Sequence, residues 1–395
     1  MVPFFFFVIS LGWGISPALA GHSSRDWNTY WEEISPSQLP ALTPEGDLPT
    51  FTLAVNRQIE NCQEYSAGKF AHCASEADPV QLVCDVPVLE KLRDLAASSD
   101  GWSAFYTGAK KAFRWYRFKS AGSNEVQFTG YNAPLFEGTL APDAQHPYPL
   151  YNRPSDLVSV KGLNGDMLWK KRLPDGSLVP YDDRKTIDVG RTLAGKGLEV
   201  AYMEFPSDIL RLHIEGSGVF EVRMPGGGVK QYGVNFAGKN GLPFVSVFKY
   251  LRDKGVDKKY LTFPGLKQYF ADFPDDMWPD LVTDPAYTFF SLSDEPPCGA
   301  SRAYLTGGHS LAVDPSRFPL GSAGFFSAQR PVAGSDPNGT NAPSQPFSRF
   351  GFAQDTGGAI QGGHVDIYWG TDDYAELASN LMGSKGTLYM MKIAP

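Results

Sequence analysis

Histidine, cysteine and long apolar runs are all scarce in this 395-residue chain. Each shortage removes a class of function. The six histidines show no H-x-x-x-H spacing, so a catalytic zinc lacks its usual ligand pair. The four cysteines, Cys62, Cys73, Cys84 and Cys298, include no C-x-x-C pair, and disulfides or inert buried thiols are expected instead. Their pairing is not readable from spacing. One solid apolar run exists, Phe4 to Ile9, extended weakly to Ile15 and followed by Ala18-Leu19-Ala20 before Gly21. It is too short to span a bilayer, and residues 1–20 read as an export signal. No cysteine follows Ala20, so soluble placement is expected rather than a lipid anchor. Basic residues are outnumbered 35 to 43, for a net charge of −8. There is no basic tract, heptad run or internal repeat, and nucleic acid is not an expected partner.

Glycine (41), proline (31) and aromatics (13%) are plentiful, which points to a turn-rich, mainly β fold with peripheral helices. The length suits about two domains. Leu53 to Tyr65, Val88 to Ala97 and Trp102 to Tyr116 fit helical spacing. Val126 to Tyr131 alternates as a strand and stops before Pro134. Leu198 to Met203, Ile209 to Ile214 and Val219 to Met224 read as strands, with Gly216-Ser217-Gly218 as a bend. Phe244 to Lys254, Leu266 to Phe273 and Asp373 to Met382 fit helices. Ala286 to Ser291 and Thr387 to Ile393 fit strands.

Three aspartates in the last quarter carry the chemical signal: Asp314 after Leu311-Ala312-Val313, Asp355 before Thr356-Gly357-Gly358, and Asp366 in Val365-Asp366-Ile367-Tyr368-Trp369-Gly370. Asp355-Thr356-Gly357 matches half of an aspartic-protease dyad, but no second D-[TS]-G exists in the chain. Gly308-His309-Ser310-Leu311-Ala312 lacks the last glycine of a nucleophile elbow. Turn chemistry is the plain reading of Asp314, which precedes Pro315. Asp355 is balanced between turn and site. Asp366 sits in an apolar, aromatic strand. Alternation alone places it most often on an outer face. In an apolar cleft, its pKa would rise and suit it to acid catalysis on a glycosidic bond.

Taken in order, several segments resemble the lytic murein transglycosylase A family. They are Phe128-Thr129-Gly130-Tyr131, Tyr148-Pro149-Leu150-Tyr151, the tract Asp175 to Arg184, Glu215-Gly216-Ser217-Gly218, Ala237-Gly238-Lys239-Asn240-Gly241, Tyr287-Thr288-Phe289-Phe290 and the three aspartates. The resemblance implies a double-psi β-barrel domain from residues 21–134 and 296–395. It also implies a smaller β-rich substrate-binding domain inserted at 135–295, with a groove between the two. It implies cleavage of the β-1,4 bond between N-acetylmuramic acid and N-acetylglucosamine in peptidoglycan, with 1,6-anhydromuramic acid ends, no cofactor and no metal. The family's D-x-[FY]-x-G segment assigns the acid/base to Asp366, with Asp355 assisting and Asp314 bracing the barrel. Thr129, Tyr131, Glu215, Ser217, Lys239 and Asn240 are implied to contact glycan, with Trp369 packing nearby. Glu215 departs from the family's usual Gln. The implied setting is the periplasm, at the outer membrane or the murein sacculus. The implied partners are glycan strands and cell-wall synthesis or hydrolysis complexes, and the implied state is a monomer. The alternative is a noncatalytic peptidoglycan-binding protein.

Overall fold

The computed structural model describes residues 29–43, 46–68, 81–120, 122–162, 167–224, 228–335, 342–357 and 360–394. The expected export signal, residues 1–20, and Cys73 lie outside them. The described chain forms two compact units, one spanning Pro134–Pro297 and the other assembled from the chain before it and from Cys298 onward.

In the second unit, six strands close on themselves. Gly383–Ile393 pairs with Ala323–Pro331, then come Ser344–Asp355, Ser310–Ala312, His364–Tyr368 and Val126–Tyr131, which pairs back to Gly383–Ile393. Closure leaves none of these six strands as a bare edge. Trp31–Ile34 and Phe113–Phe118 extend the sheet. The helix Leu48–Ser66 packs on it. Asp47 caps the helix start, its carboxylate accepting from Thr50 N. Phe51, Ala54, Val55, Ile59 and Cys62 recur at helical spacing and are buried against Phe350 and Phe352. Burying Phe51 alone contributes about 2–3 kcal/mol. A disulfide ties Cys62 to Cys84, and Cys298 is also disulfide-bonded.

The helix expected over Trp102 to Tyr116 is corrected. It ends at Ala112, and Phe113–Phe118 is a strand. Phe113 and Trp115 are buried while Arg114 is exposed, and ladders to Trp31–Ile34 and Gly383–Ile393 override the helical pattern.

The inserted unit holds a six-stranded sheet, in the order Thr288–Ser293, Val229–Lys239, Gly218–Arg223, Leu135–Thr139, Glu199–Met203, Tyr148–Tyr151, and a three-stranded one. The strand expected over Ile209 to Ile214 is corrected to the helix Pro206–Glu215. Ile209 and Leu212 face one apolar cluster, while Leu210 and Ile214 face another. A helix buried on two sides loses its one-sided periodicity and reads as alternation. Gly216 ends it at φ +78°, a left-handed cap that glycine adopts without strain.

Candidate active site

Adjacent strands of the closed sheet set one row of residues side by side. Ala312 is in register with Asp355 on one flank and with Asp366 on the other. Asp366 is in register with Thr129, and Thr129 with Gly383. Paired residues share a face, so both carboxylates and the Thr129 hydroxyl rise from one side of the sheet. Ala312 and Gly383, being small, leave the space above the row to them. Two strand spacings separate the Cα atoms of the aspartates, about 10 Å. A bulge between Leu311 and Ala312 makes this alignment, because the register skips Gln354 and brings Asp355 opposite Ala312. Gln354 is buried and donates from Nε2 to Gln58 Oε1 at 2.9 Å, which anchors the strand to the helix behind it.

Asp366 is 2% exposed, so the outer-face reading of its strand is corrected. The strand His364–Tyr368 is flanked on both edges, by Ser310–Ala312 and by Val126–Tyr131. Val365, Asp366, Ile367 and Tyr368 are all buried, so both faces of this strand are covered. Thr129 Oγ1 donates to Asp366 Oδ1 at 2.8 Å and lies 2.8 Å from His364 Nε2. Asp355 Oδ1 accepts from the backbone N–H groups of Ala300 and Thr356, each at 2.9 Å, and Oδ2 accepts from Tyr131 Oη at 2.8 Å. Burial pushes the Asp355 carboxyl up, partly offset by these three donors. Burial and the charges of Asp355 and Asp366 push the Tyr131 phenol well up, so it stays a donor. The loop carrying Ala300 is held from behind, where Asn61 Nδ2 donates to Ser301 O at 2.9 Å.

Asp314 binds two pieces of chain. Its Oδ1 accepts from Ser316 N, and its Oδ2 accepts from Gly362 N at 2.8 Å, which ties its turn to the loop before Asp366. Trp369 is 7% exposed and packs against Phe347 and Tyr374, with the Arg349 guanidinium over its ring. It lies among side chains of its own unit rather than forming an open platform.

The inserted unit carries the remaining expected residues. Glu215 ends the helix Pro206–Glu215. Burial raises its carboxyl, and the nearby Arg211 charge opposes that. Ser217 is half-buried between Gly216 and Gly218, and Lys239 closes the strand Val229–Lys239. Asn240 is buried, and its amide is committed to backbone. Nδ2 donates to Asp182 O and Pro285 O, and Oδ1 accepts from Leu242 N and Tyr287 N. A cavity of about 330 Å³ inside this unit is lined by Tyr148, Arg184, Asp188, Arg191 and Trp278, among others, and by none of these four residues. Among the described residues no cluster of His, Cys, Asp or Glu could hold a metal ion, and no helix is long and apolar enough to cross a membrane.

Sequence reasoning missed His364 and the Ala300 N–H. His364 was visible in principle, since it lies two residues before Asp366 and shares its face. The Ala300 contact carries no local sequence signal.

Residues 127–291 match the family profile described as MltA specific insert domain, and residues 309–392 match the 3D domain. Over both stretches the chain is similar to the MltA family. The membrane-bound lytic murein transglycosylase A of Escherichia coli K12 is 28% identical over 284 residues, covering 71% of this chain and 69% of that protein. The Vibrio cholerae protein of the same name is 27% identical over 255 residues, covering 64% and 61%. The crystal structure of MltA from Neisseria gonorrhoeae superposes with a TM-score of 0.74 at 22% identity, covering 92% of this chain and 91% of that one. MltA of E. coli with bound chitohexaose gives a TM-score of 0.64 at 21% identity, with 92% and 95% covered. The MltA fold therefore covers both units of the described chain.

Proposed function

We propose that the chain is a lytic transglycosylase of peptidoglycan, exported to the periplasm, with Asp366 as its single acid/base. The observation that carries this reading is the row of Asp355, Ala312, Asp366 and Thr129 on one face of the closed sheet. Protonated Asp366 gives its proton to the oxygen of the β-1,4 bond between N-acetylmuramic acid and N-acetylglucosamine. The C1–O bond breaks, and positive charge develops on the muramic acid ring. The Asp366 carboxylate then takes the proton of that sugar's own C6 hydroxyl as its oxygen closes onto C1. Atoms and protons balance without water, and one carboxyl group serves both steps. A hydrolase would need a second carboxylate to activate water or to attack C1. A general acid contributes roughly 10²–10⁴-fold, and glycan binding and orientation supply the rest.

In this reading Asp355 acts through Tyr131, whose phenol it holds, and Asp314 keeps the loop before Asp366 in place. Glu215, Ser217 and Lys239 are the inserted unit's candidates for polar contacts with glycan, while Asn240 shapes that surface through the backbone. The names of the relatives and the chitohexaose bound by the E. coli protein support a glycan ligand.

Mass spectrometry of murein sacculi digested with the purified chain tests the reading. The expected products are anhydro muropeptides, about 20 Da lighter than hydrolysed and reduced ones, because an internal ether replaces the hydrated end. Reducing ends would mean a water nucleophile. Sedimentation with sacculi without any product would mean a binding protein.

A further inference from the structure

The Thr129 hydroxyl stands between two groups that both seek it. Its Oγ1 is 2.8 Å from Asp366 Oδ1 and 2.8 Å from His364 Nε2. A hydroxyl has one proton, so it donates to only one of these partners at a time. If Nε2 is bare, the threonine proton turns to it and away from Oδ1. If Nε2 carries a proton, the imidazole donates to Oγ1 and the threonine proton is directed at Oδ1. The positions are fixed by the ladder, in which His364 pairs with Gln127 and Asp366 with Thr129. His364 also lines a small cavity whose walls include Asp314 and Arg317 but are mostly apolar, among them Phe118, Val126 and Val365.

We propose that His364 is a positioning residue which, by donating from Nε2 to Thr129, holds the threonine proton on Asp366 Oδ1 and confines the acidic proton of Asp366 to Oδ2. This rests on the reading of Asp366 as the acid/base. Oδ1 facing an O–H donor cannot also carry a proton along the same line. Oδ2 is then the oxygen that protonates the leaving group and the one that receives the C6 hydroxyl proton. A single oxygen thus serves both steps, and the carboxyl group need not turn between them. His364 touches neither sugar in this scheme; it acts through the Thr129 hydroxyl.

Kinetics on soluble glycan strands test it, reading anhydro product from wild type, His364→Ala and His364→Gln, with Tm measured for each. His364→Ala should lower kcat by about 10–100-fold, the size of loss that follows removal of a hydrogen-bonding partner which orients a metal ligand, with KM little changed. His364→Gln should recover most of that loss, because its amide can donate to Thr129. Wild-type kcat in His364→Ala would overturn the inference and leave the transglycosylase reading standing. So would equal losses in both variants at unchanged Tm. Reducing products from the wild type would overturn the reading, and the inference with it. Nitrogen-15 NMR of the wild-type chain gives a readout independent of variant folding. A protonated His364 Nε2 whose signal shifts in Thr129→Val is expected, and a bare Nε2 would overturn the proposal.

Discussion

Asp366 and Glu215 are two carboxyl groups in different surroundings. Asp366 is buried and hydrogen-bonded to Thr129. Asp366→Asn keeps size and shape but has no acidic proton, so cleavage of sacculi should fall by at least about 10²-fold, with sedimentation on sacculi retained. Full activity would remove Asp366 from the chemistry. Burial raises the Glu215 carboxyl, against the opposing charge of Arg211. A raised pKa keeps it neutral, and able to donate, to a higher pH than an ordinary glutamate. Above its folded pKa it is ionised and only accepts. Glu215→Gln should therefore match the wild-type rate on the acid side and lose less as pH rises. Parallel pH–rate profiles for the two proteins would show that the Glu215 charge does not reach the substrate.

At the scale of elements, the site depends on how closely Val126–Tyr131 can approach its neighbours. Gly130 lies between Thr129 and Tyr131, on the opposite face. A Cβ there would come within 2.8 Å of Ala378 O and 2.9 Å of the Trp369 ring. A backbone oxygen cannot swing away as a flexible side chain can. Gly130→Ala should cost about 1–3 kcal/mol of stability, read as a lower denaturation midpoint. It should also reduce activity by displacing Thr129 and Tyr131. An unchanged midpoint would mean that Trp369 and the helix Asp373–Leu381 yield more easily than their packing implies. This element was largely legible, since Val126 to Tyr131 alternates cleanly and ends before Pro134. The helix Pro206–Glu215 was not, because burial on two sides erased its period.

For the whole molecule, buried titratable groups set how stability responds to acid. His309 is 1% exposed. Burial, followed by the Arg349 charge, lowers its pKa from 6.5 to about 4, although its bond to Phe350 O opposes that. The unfolded chain takes up this proton below about pH 6.5, whereas the folded chain does so only near pH 4. The stabilising contribution is therefore complete above pH 6.5 and is lost as pH falls. The loss reaches roughly 3 kcal/mol by pH 4. Asp355, with its raised carboxyl, works in the opposite sense. The melting temperature should drop between pH 6.5 and 4, and His309→Asn should be less stable at pH 7 with a flatter profile across that window. Profiles that stay parallel would show that His309 is not the group responsible.

The sequence by itself determined the mainly β class, a helix over Leu53 to Tyr65 that the structure extends to Leu48–Ser66, and the three aspartates as the residues to examine. These signals are local, carried by period, turn residues and short ordered motifs. Tertiary structure decided what local pattern cannot hold. Asp366 is buried in the closed sheet, though its own alternation placed it outside. A one-residue bulge sets Asp355 opposite Ala312, and a loop more than fifty residues earlier supplies the Ala300 N–H to it. Asn240 and Trp369, read as glycan-binding candidates, have their polar and aromatic surfaces taken up by backbone and side chains of their own units. The physical reason is common to all of these. A side chain's exposure, charge and free hydrogen-bonding capacity depend on partners distant in sequence, and only the closed sheet and its packing bring those partners together.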